Sequence, residues 1–319
     1  MSTAITPTGS VTLAASDHDR IRAAIRSSRS PNTRRAYASQ WKHFTAWAAT
    51  REHPALPAAP EVVAAYLADR AADGIRPDTL KQACAAIGQA HREAGHVNPC
   101  ASEGVRRTLA GLVREMGCAP RQAAGLTEND LSAICATAHH PRDIGRGRKE
   151  TAATADRRAT VDVALVRTMR DGLLRRSEAA AITWADIATE PDGSGRVTIR
   201  RSKTDQESEG AVLYLAQPTM QALAAIRNDA PDDARVFSLS AAQIARRIAS
   251  AARAAGLAGR FSGHSARVGM AQDLARAGTE LPALMQAGRW ESPTMPAAYT
   301  RNEQAGRGAV ARYYRTRQP

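Results

Sequence analysis

Apolar residues in the first third of the chain recur with a helical period. Tyr37, Trp41, Phe44 and Trp47 are spaced by four, three and three residues, which predicts a helix with an aromatic stripe packed into a core. Pro60 and Gly74 bracket a helix over 60–72, and the pattern predicts two more over 77–94 and 101–116. No stretch here alternates as a strand would, so residues 17–117 are expected to form an all-helical unit. The Ser/Thr/Ala/Gly-rich residues 1–16 ahead of it read as a disordered tail.

Small and polar residues then interrupt the pattern, and residues 118–126 read as a linker. Thr127-Glu128-Asn129-Asp130 has the form of a helix N-cap with an acidic first turn. Residues 138–159 carry His139, His140, Pro141, Gly145, Gly147 and many charges, and read as an exposed basic loop. A helical period resumes over 160–175. The one β signal follows: Arg196-Val197-Thr198-Ile199-Arg200 alternates, and Ala211-Val212-Leu213-Tyr214-Leu215 answers it. The polar turn between them carries Lys203. Helices are expected at about 218–229, 240–256, 264–277 and 281–288, with a short one ending near Tyr299 and a last one over 304–314. Residues 127–319 therefore read as a mainly α domain with a small antiparallel β-sheet.

Charge narrows the partner. The 319 residues carry a formal net charge of +13, and an excess of that size points to a polyanion, most often nucleic acid. Of the 44 basic residues only Lys42, Lys81, Lys149 and Lys203 are lysines. Scarce Lys beside abundant Ala and Arg is the mark of a GC-rich coding bias, so each surviving lysine is informative. Cys84, Cys100, Cys118 and Cys135 show no CxxC pairing and read as reduced packing residues, with no metal site and no cofactor expected. No apolar run approaches the roughly 20 residues of a membrane span, and no signal peptide is evident, so the expectation is a soluble cytoplasmic protein.

The candidate chemistry lies near the C-terminus. His264 and Arg267 are three residues apart, so a helix would place them on one face. Trp290 follows Gly288-Arg289, and Tyr299 comes nine residues later. Upstream, Arg175 precedes Ser177 and Glu178 at the start of a helix, with Ser177 the expected cap, and Lys203 sits in the hairpin. Each alone is an ordinary residue. Together they supply cations, donors and a nucleophile for a phosphodiester.

In this order the residues resemble the tyrosine recombinase (phage integrase) family, whose catalytic domain carries Arg, Lys, His-x-x-Arg, a His or Trp, and a nucleophilic Tyr. The resemblance rests on Phe261-Ser262-Gly263-His264-Ser265-Ala266-Arg267-Val268-Gly269, on Leu284-Met285-Gln286-Ala287-Gly288-Arg289-Trp290 and on Asn32-Thr33-Arg34-Arg35-Ala36-Tyr37. It runs from about residue 20 to the end. Many members carry histidine where this chain has Trp290, so the likeness is to the tryptophan-bearing branch. The fold it implies is a two-domain, C-shaped DNA clamp.

The resemblance implies roles that the chemistry supports. Arg175 and Arg267 would clamp the phosphoryl oxygens bidentately. His264 would donate to those oxygens or accept the phenol proton, and Trp290 can only donate and pack. Lys203 would protonate the departing 5′ oxygen, Tyr299 would attack, and Glu178 would orient Arg175 or His264. Neither metal nor ATP is expected. Helix 77–94, with Lys81, Gln82, Gln89, His91 and Arg92, is the expected groove reader, and Arg34, Arg35, Arg200 and Arg201 are expected phosphate contacts. The implied partner is double-stranded DNA bearing a specific recombination site, with a homotetramer on synapsed DNA and a monomer in solution. A catalytically idle DNA-binding protein and a type IB topoisomerase-like enzyme are the alternatives.

Overall fold

The computed structural model describes residues 14–117, 122–200, 210–306 and 308–315. Its chain divides into two units, Met1–Pro120 and Arg121–Pro319. The expected disordered tail is only partly tested, because residues 1–13 lie outside the described residues. Ala15 and Ser16 are already helical: α1 (Ala15–Ser27) begins there, with Asp17 in its first turn where the helix dipole favours an acid.

Four longer or comparable helices complete the first unit: α2 (Pro31–Thr50), α3 (Pro60–Ala72), α4 (Pro77–Glu93) and α5 (Glu103–Met116). The Ser30 hydroxyl caps α2 by accepting the Thr33 N–H at 3.2 Å. Prolines open α2, α3 and α4, where the missing N–H costs nothing. Phe44 of the aromatic stripe is fully buried among Val63, Tyr66, Leu67, Leu80, Ile87 and Val105, with Trp41 and Trp47 packed at the edge. The Trp47 indole N–H donates to Asp69 at 3.0 Å, and Arg51 covers its ring.

His91 corrects the expectation for α4. It is fully buried; one ring nitrogen accepts the Ala58 N–H at 2.9 Å, and the other donates to the Ile87 carbonyl at 2.8 Å. Those two bonds join the α4 core face to the loop before α3, and they leave nothing to offer a base edge. Lys81, Gln82 and Arg92 are exposed, Lys81 pairing with Asp78, while Gln89 is half-buried and donates to Glu93.

The second unit is built on α7 (Ala152–Asp171), which follows α6 (Glu128–Thr137). Thr127 and Asp130 form a reciprocal capping box at the start of α6. Residues 122–126 belong to this unit rather than to a linker: the Ala124 N–H bonds to the Arg260 carbonyl, the Leu126 N–H to the Ser265 carbonyl, and Leu126 is fully buried. The loop expected over 138–159 is also shorter than its charge suggested. α7 starts at Ala152 behind a Thr151 cap, and Ala155 and Ala159 are buried. The physical reason is Asp162, 1% exposed, which draws in Arg142 at 3.0 Å, Arg158 at 3.4 Å and Arg247 at 2.5 Å. Arg142, Glu150 and Arg158 are drawn from the expected loop into an ion-pair corner, while His139, His140, Arg146, Arg148 and Lys149 are exposed, as the reading of a solvated basic loop has them.

After α8 (Arg176–Ala179) come β1 (Ile187–Thr189), β2 (Gly195–Ile199) and β3 (Ala211–Leu215), an antiparallel sheet in the order β1-β2-β3. Val197 faces Leu213 across the expected pair and Ile187 across the added strand. At three residues β1 is too short to show alternation in the sequence. Val197, Ile199 and Leu215 point into a core with Leu165, Met169, Trp184, Phe237 and Ile248. Arg201 and Lys203 lie outside the described residues.

Then follow α9 (Gln217–Arg227), α10 (Ala241–Ala254), α11 (Ser265–Arg276), α12 (Leu281–Gly288) and α13 (Thr294–Tyr299). The single terminal helix expected over 304–314 is two, α14 (Arg301–Ala305) and α15 (Ala309–Arg315). Among the described residues no helix is long and apolar enough to cross a membrane.

Candidate active site

Three chain turns build the site. The first ends α7: Gly172 and Leu173 carry the chain round, and Arg175 becomes the N-cap of α8. Ser177 does not make this cap. Instead the Glu178 carboxylate reaches back, its Oε2 accepting the Arg175 N–H and its Oε1 accepting from Arg175 Nη1 at 2.8 Å. A carboxylate therefore fixes the backbone and the guanidinium of one arginine at once.

The second turn opens α11. His264 occupies the N-cap and is exposed, its N–H held by the Ser262 hydroxyl. Arg267, one turn on, is 2% exposed. Its Nη1 donates to the Leu173 carbonyl at 2.5 Å and its Nη2 to the Gly288 carbonyl. Burial, then the nearby charges of Arg175 and Arg289, push this guanidinium down to about 9, and it stays protonated at neutral pH. A buried cation flanked by two others is a strong attractor for an anion.

The third turn ends α12. Gly288 closes the helix and Arg289 takes the left-handed conformation, with φ 55° and ψ 53°. Trp290 then folds back over Arg267, whose guanidinium carbon lies 4.4 Å from a ring centroid. Tyr299, the last residue of α13, meets Trp290 edge-on at 5.9 Å. Its carbonyl is held by Gln122 and Gln272. Burial pushes the Tyr299 phenol up despite Arg267 and Arg175, so the phenol keeps its proton at neutral pH and would need a base in order to attack. Leu173, Ala271 and Leu284 pack beneath both rings.

Arg175, Glu178, Arg267, Trp290 and Tyr299 thus gather from α7 to α13, with His264 at the head of the same helix as Arg267. Arg289 was quoted in the sequence motif without a role, and it is the residue that reasoning missed. Its Nη2 donates to Glu178 Oε2 at 2.9 Å. The available signal was a long side chain directly after a helix, where glycine or asparagine is the usual left-handed residue. Of the expected DNA contacts, Arg34 and Arg35 are exposed on the first turn of α2, Arg35 bonding Asn32. Arg200 is exposed beyond β2 and pairs with Asp186 at 2.6 Å. Among the described residues no group of three or more His, Cys, Asp or Glu gathers to hold a metal ion.

Comparison with known proteins agrees with this fold. The family model for the phage integrase family matches residues 125–305, and the model for its N-terminal SAM-like domain matches 23–96. The chain belongs to the phage integrase family, the tyrosine recombinases. It is 26% identical to the recombinase cre of Escherichia phage P1 over 316 residues, spanning 89% of this chain and 88% of that protein. It is 27% identical over 299 residues to an integrase/recombinase xerD homolog of Selenomonas ruminantium, with 86% and 83% covered. In fold it is similar to a lambda integrase (75–356) dimer bound to a COC′ core site, with TM-score 0.60 at 19% identity over 89% of this chain and 94% of that one. The Tn1549 transposon integrase in complex with transposon right end DNA gives TM-score 0.58 at 13% identity, with 91% and 97% covered.

Proposed function

We propose that this DNA breaking and rejoining enzyme is a site-specific recombinase acting through a covalent 3′-phosphotyrosine. The observation that carries the reading is the packing of Tyr299 against Trp290 and of Trp290 against Arg267, with Arg175 charge-coupled to both ends. One pocket then holds a phenol and two guanidiniums.

Arg175 and Arg267 hold the non-bridging oxygens, where negative charge gathers in the transition state. The Tyr299 oxygen attacks phosphorus and its proton passes to His264. The bond to the 5′ oxygen breaks, and that oxygen takes a proton from Lys203. Trp290 donates its indole N–H to a phosphoryl oxygen. Because the phosphotyrosine keeps a phosphoester bond, a second 5′ hydroxyl reverses the step and neither ATP nor a metal ion is required. Arg34, Arg35, Arg200 and Arg201 contact phosphates, and the exposed Lys81, Gln82 and Arg92 of α4 approach a groove. Two like subunits each cut one strand, exchange through a Holliday junction and repeat with the other pair, in a homotetramer on synapsed DNA. The idle DNA-binding alternative lacks a reason to keep every reactive group.

The test begins with Tyr299→Phe, used to select a binding site from a random-sequence duplex pool. Wild-type protein is then mixed with the selected duplex, nicked beside the bound centre, in EDTA without ATP. A covalent protein–DNA band with wild type, absent with Tyr299→Phe, is the expected result. A band that survives in Tyr299→Phe rejects the nucleophile, and none in wild type favours the idle binder.

A further inference from the structure

Glu178 poses an electrostatic problem. Its carboxylate accepts from two groups of Arg175 and from Arg289, and its side chain is 2% exposed, so its negative charge is buried inside the site proposed to hold a phosphate. An ionised carboxylate there repels the ligand and cancels the charge of Arg175. Arg267 compensates only in part, because one N–H on each of its outer amino groups is already spent on the carbonyls of Leu173 and Gly288.

Arg289 answers the problem at evident structural cost. Its backbone is left-handed, a conformation that favours glycine or asparagine. Its charge is largely buried, and its Nε and Nη1 are buried with no hydrogen-bond partner. Its Nη2 spreads over the Glu178 carboxylate and, more weakly, the carbonyls of Leu173 and Gly172. A residue serving only to end α12 would be glycine. Among the described residues, the one ion pair of this guanidinium is with Glu178.

We infer that Arg289 is a positioning residue that neutralises Glu178, so that Arg175 and Arg267 both present their full charge to the bound phosphoryl group. Among the described residues, Arg175, Arg267 and Arg289 set three cations against Glu178; without Arg289 there are two. Arg289 acts through Glu178 and does not itself touch the phosphate, since its free N–H groups are closed to solvent. The direction of the Glu178 carboxyl agrees: burial pushes it up, yet Arg289 and then Arg175 hold it below the ordinary range.

This inference rests on the proposed cleavage chemistry, and the experiment separates the two. Arg289→Gln, Arg289→Lys, Arg289→Asn, Glu178→Gln and the double variant Glu178→Gln/Arg289→Gln are compared with wild type. Adduct formation on nicked DNA and affinity for inorganic phosphate in the absence of DNA are measured for each. Arg289→Gln should slow adduct formation on the order of 10- to 100-fold at saturating DNA and weaken phosphate binding about tenfold, with duplex affinity unchanged. Arg289→Lys should retain most activity. The double variant should recover at least about tenfold over Arg289→Gln, because removing the anion removes the need for its counterion. A double variant no faster than Arg289→Gln, or phosphate affinity unaltered in Arg289→Gln, overturns the inference. Arg289→Asn suits the left-handed backbone, so it reads the charge loss if the glutamine variant fails to fold. Absence of an adduct in wild type would reject the cleavage reading alone, and the phosphate series would still decide the role of Arg289.

Discussion

The guanidinium carbon of Arg267 lies over Trp290, 4.4 Å from a ring centroid, while both its outer amino groups are held by main-chain carbonyls. The indole therefore does two things at once. It covers a buried cation and packs edge-to-face with Tyr299.

Trp290→Ala removes both contacts and opens a cavity beside Leu173 and Leu284. It should cost about 3–5 kcal/mol in urea unfolding and eliminate the covalent adduct. Trp290→Phe keeps a ring face without the N–H, so it should fold nearly as well and cleave more slowly. Equal cleavage by wild type and Trp290→Phe would show that the N–H is not used.

Gly288→Ala tests how the indole reaches this place. A Cβ on Gly288 would lie 1.9 Å from a Trp290 ring carbon, so the ring must leave. Tryptophan fluorescence should shift toward that of an exposed indole, and adduct formation should fall with the Trp290→Ala value as its floor. Gly104→Ala, where nothing lies within 4 Å, provides the control.

Asp162→Ala should be among the most destabilising single changes in the second unit. It leaves Arg142, Arg158 and Arg247 facing one another, with Glu150 still holding Arg158 alone among them by its side chain. A loss of about 3–5 kcal/mol in denaturant unfolding is expected. Replacing the three arginines with methionine in the same background should restore much of it.

The acid and alkaline limits have separate sources. The Glu178 carboxyl is held below its ordinary range, so it adds stability above about pH 4.3 that is lost as pH falls through the lower folded value. Glu178→Gln should flatten that acid limb. Arg267, pushed down to about 9, loses its proton in the folded protein while the unfolded chain keeps it. Stability from this group therefore rises with pH above about 9, whereas phosphate holding declines. Adduct formation should fall above pH 9 while the unfolding midpoint does not follow it.

Much of this was written in the chain, and the exceptions share a cause. The aromatic stripe of α2, the prolines that open three helices and the β2–β3 pair follow local periodicity, which sequence displays. Chemical types in order singled out Arg175, Arg267, Trp290 and Tyr299, which the fold brings together, and His264 at the head of the Arg267 helix. His91 was misread because a polar residue on a helix says nothing about which neighbours satisfy it. The corner around Asp162 was misread for the same reason, since one of its arginines, Arg247, lies 85 positions from Asp162 in the chain. Arg289 escaped because its importance lies in a backbone angle and in a partner on a distant turn.

The carbonyl grip on Arg267 ties chemical competence to maturation of the chain. Its two anchors end different helices, α7 and α12, so the guanidinium acquires its aim only when that corner has closed. On the chemistry proposed above, a partly unfolded copy lacks the aimed guanidinium and cannot cleave DNA. The enzyme's capacity to break a strand is thus gated by the completeness of its own fold.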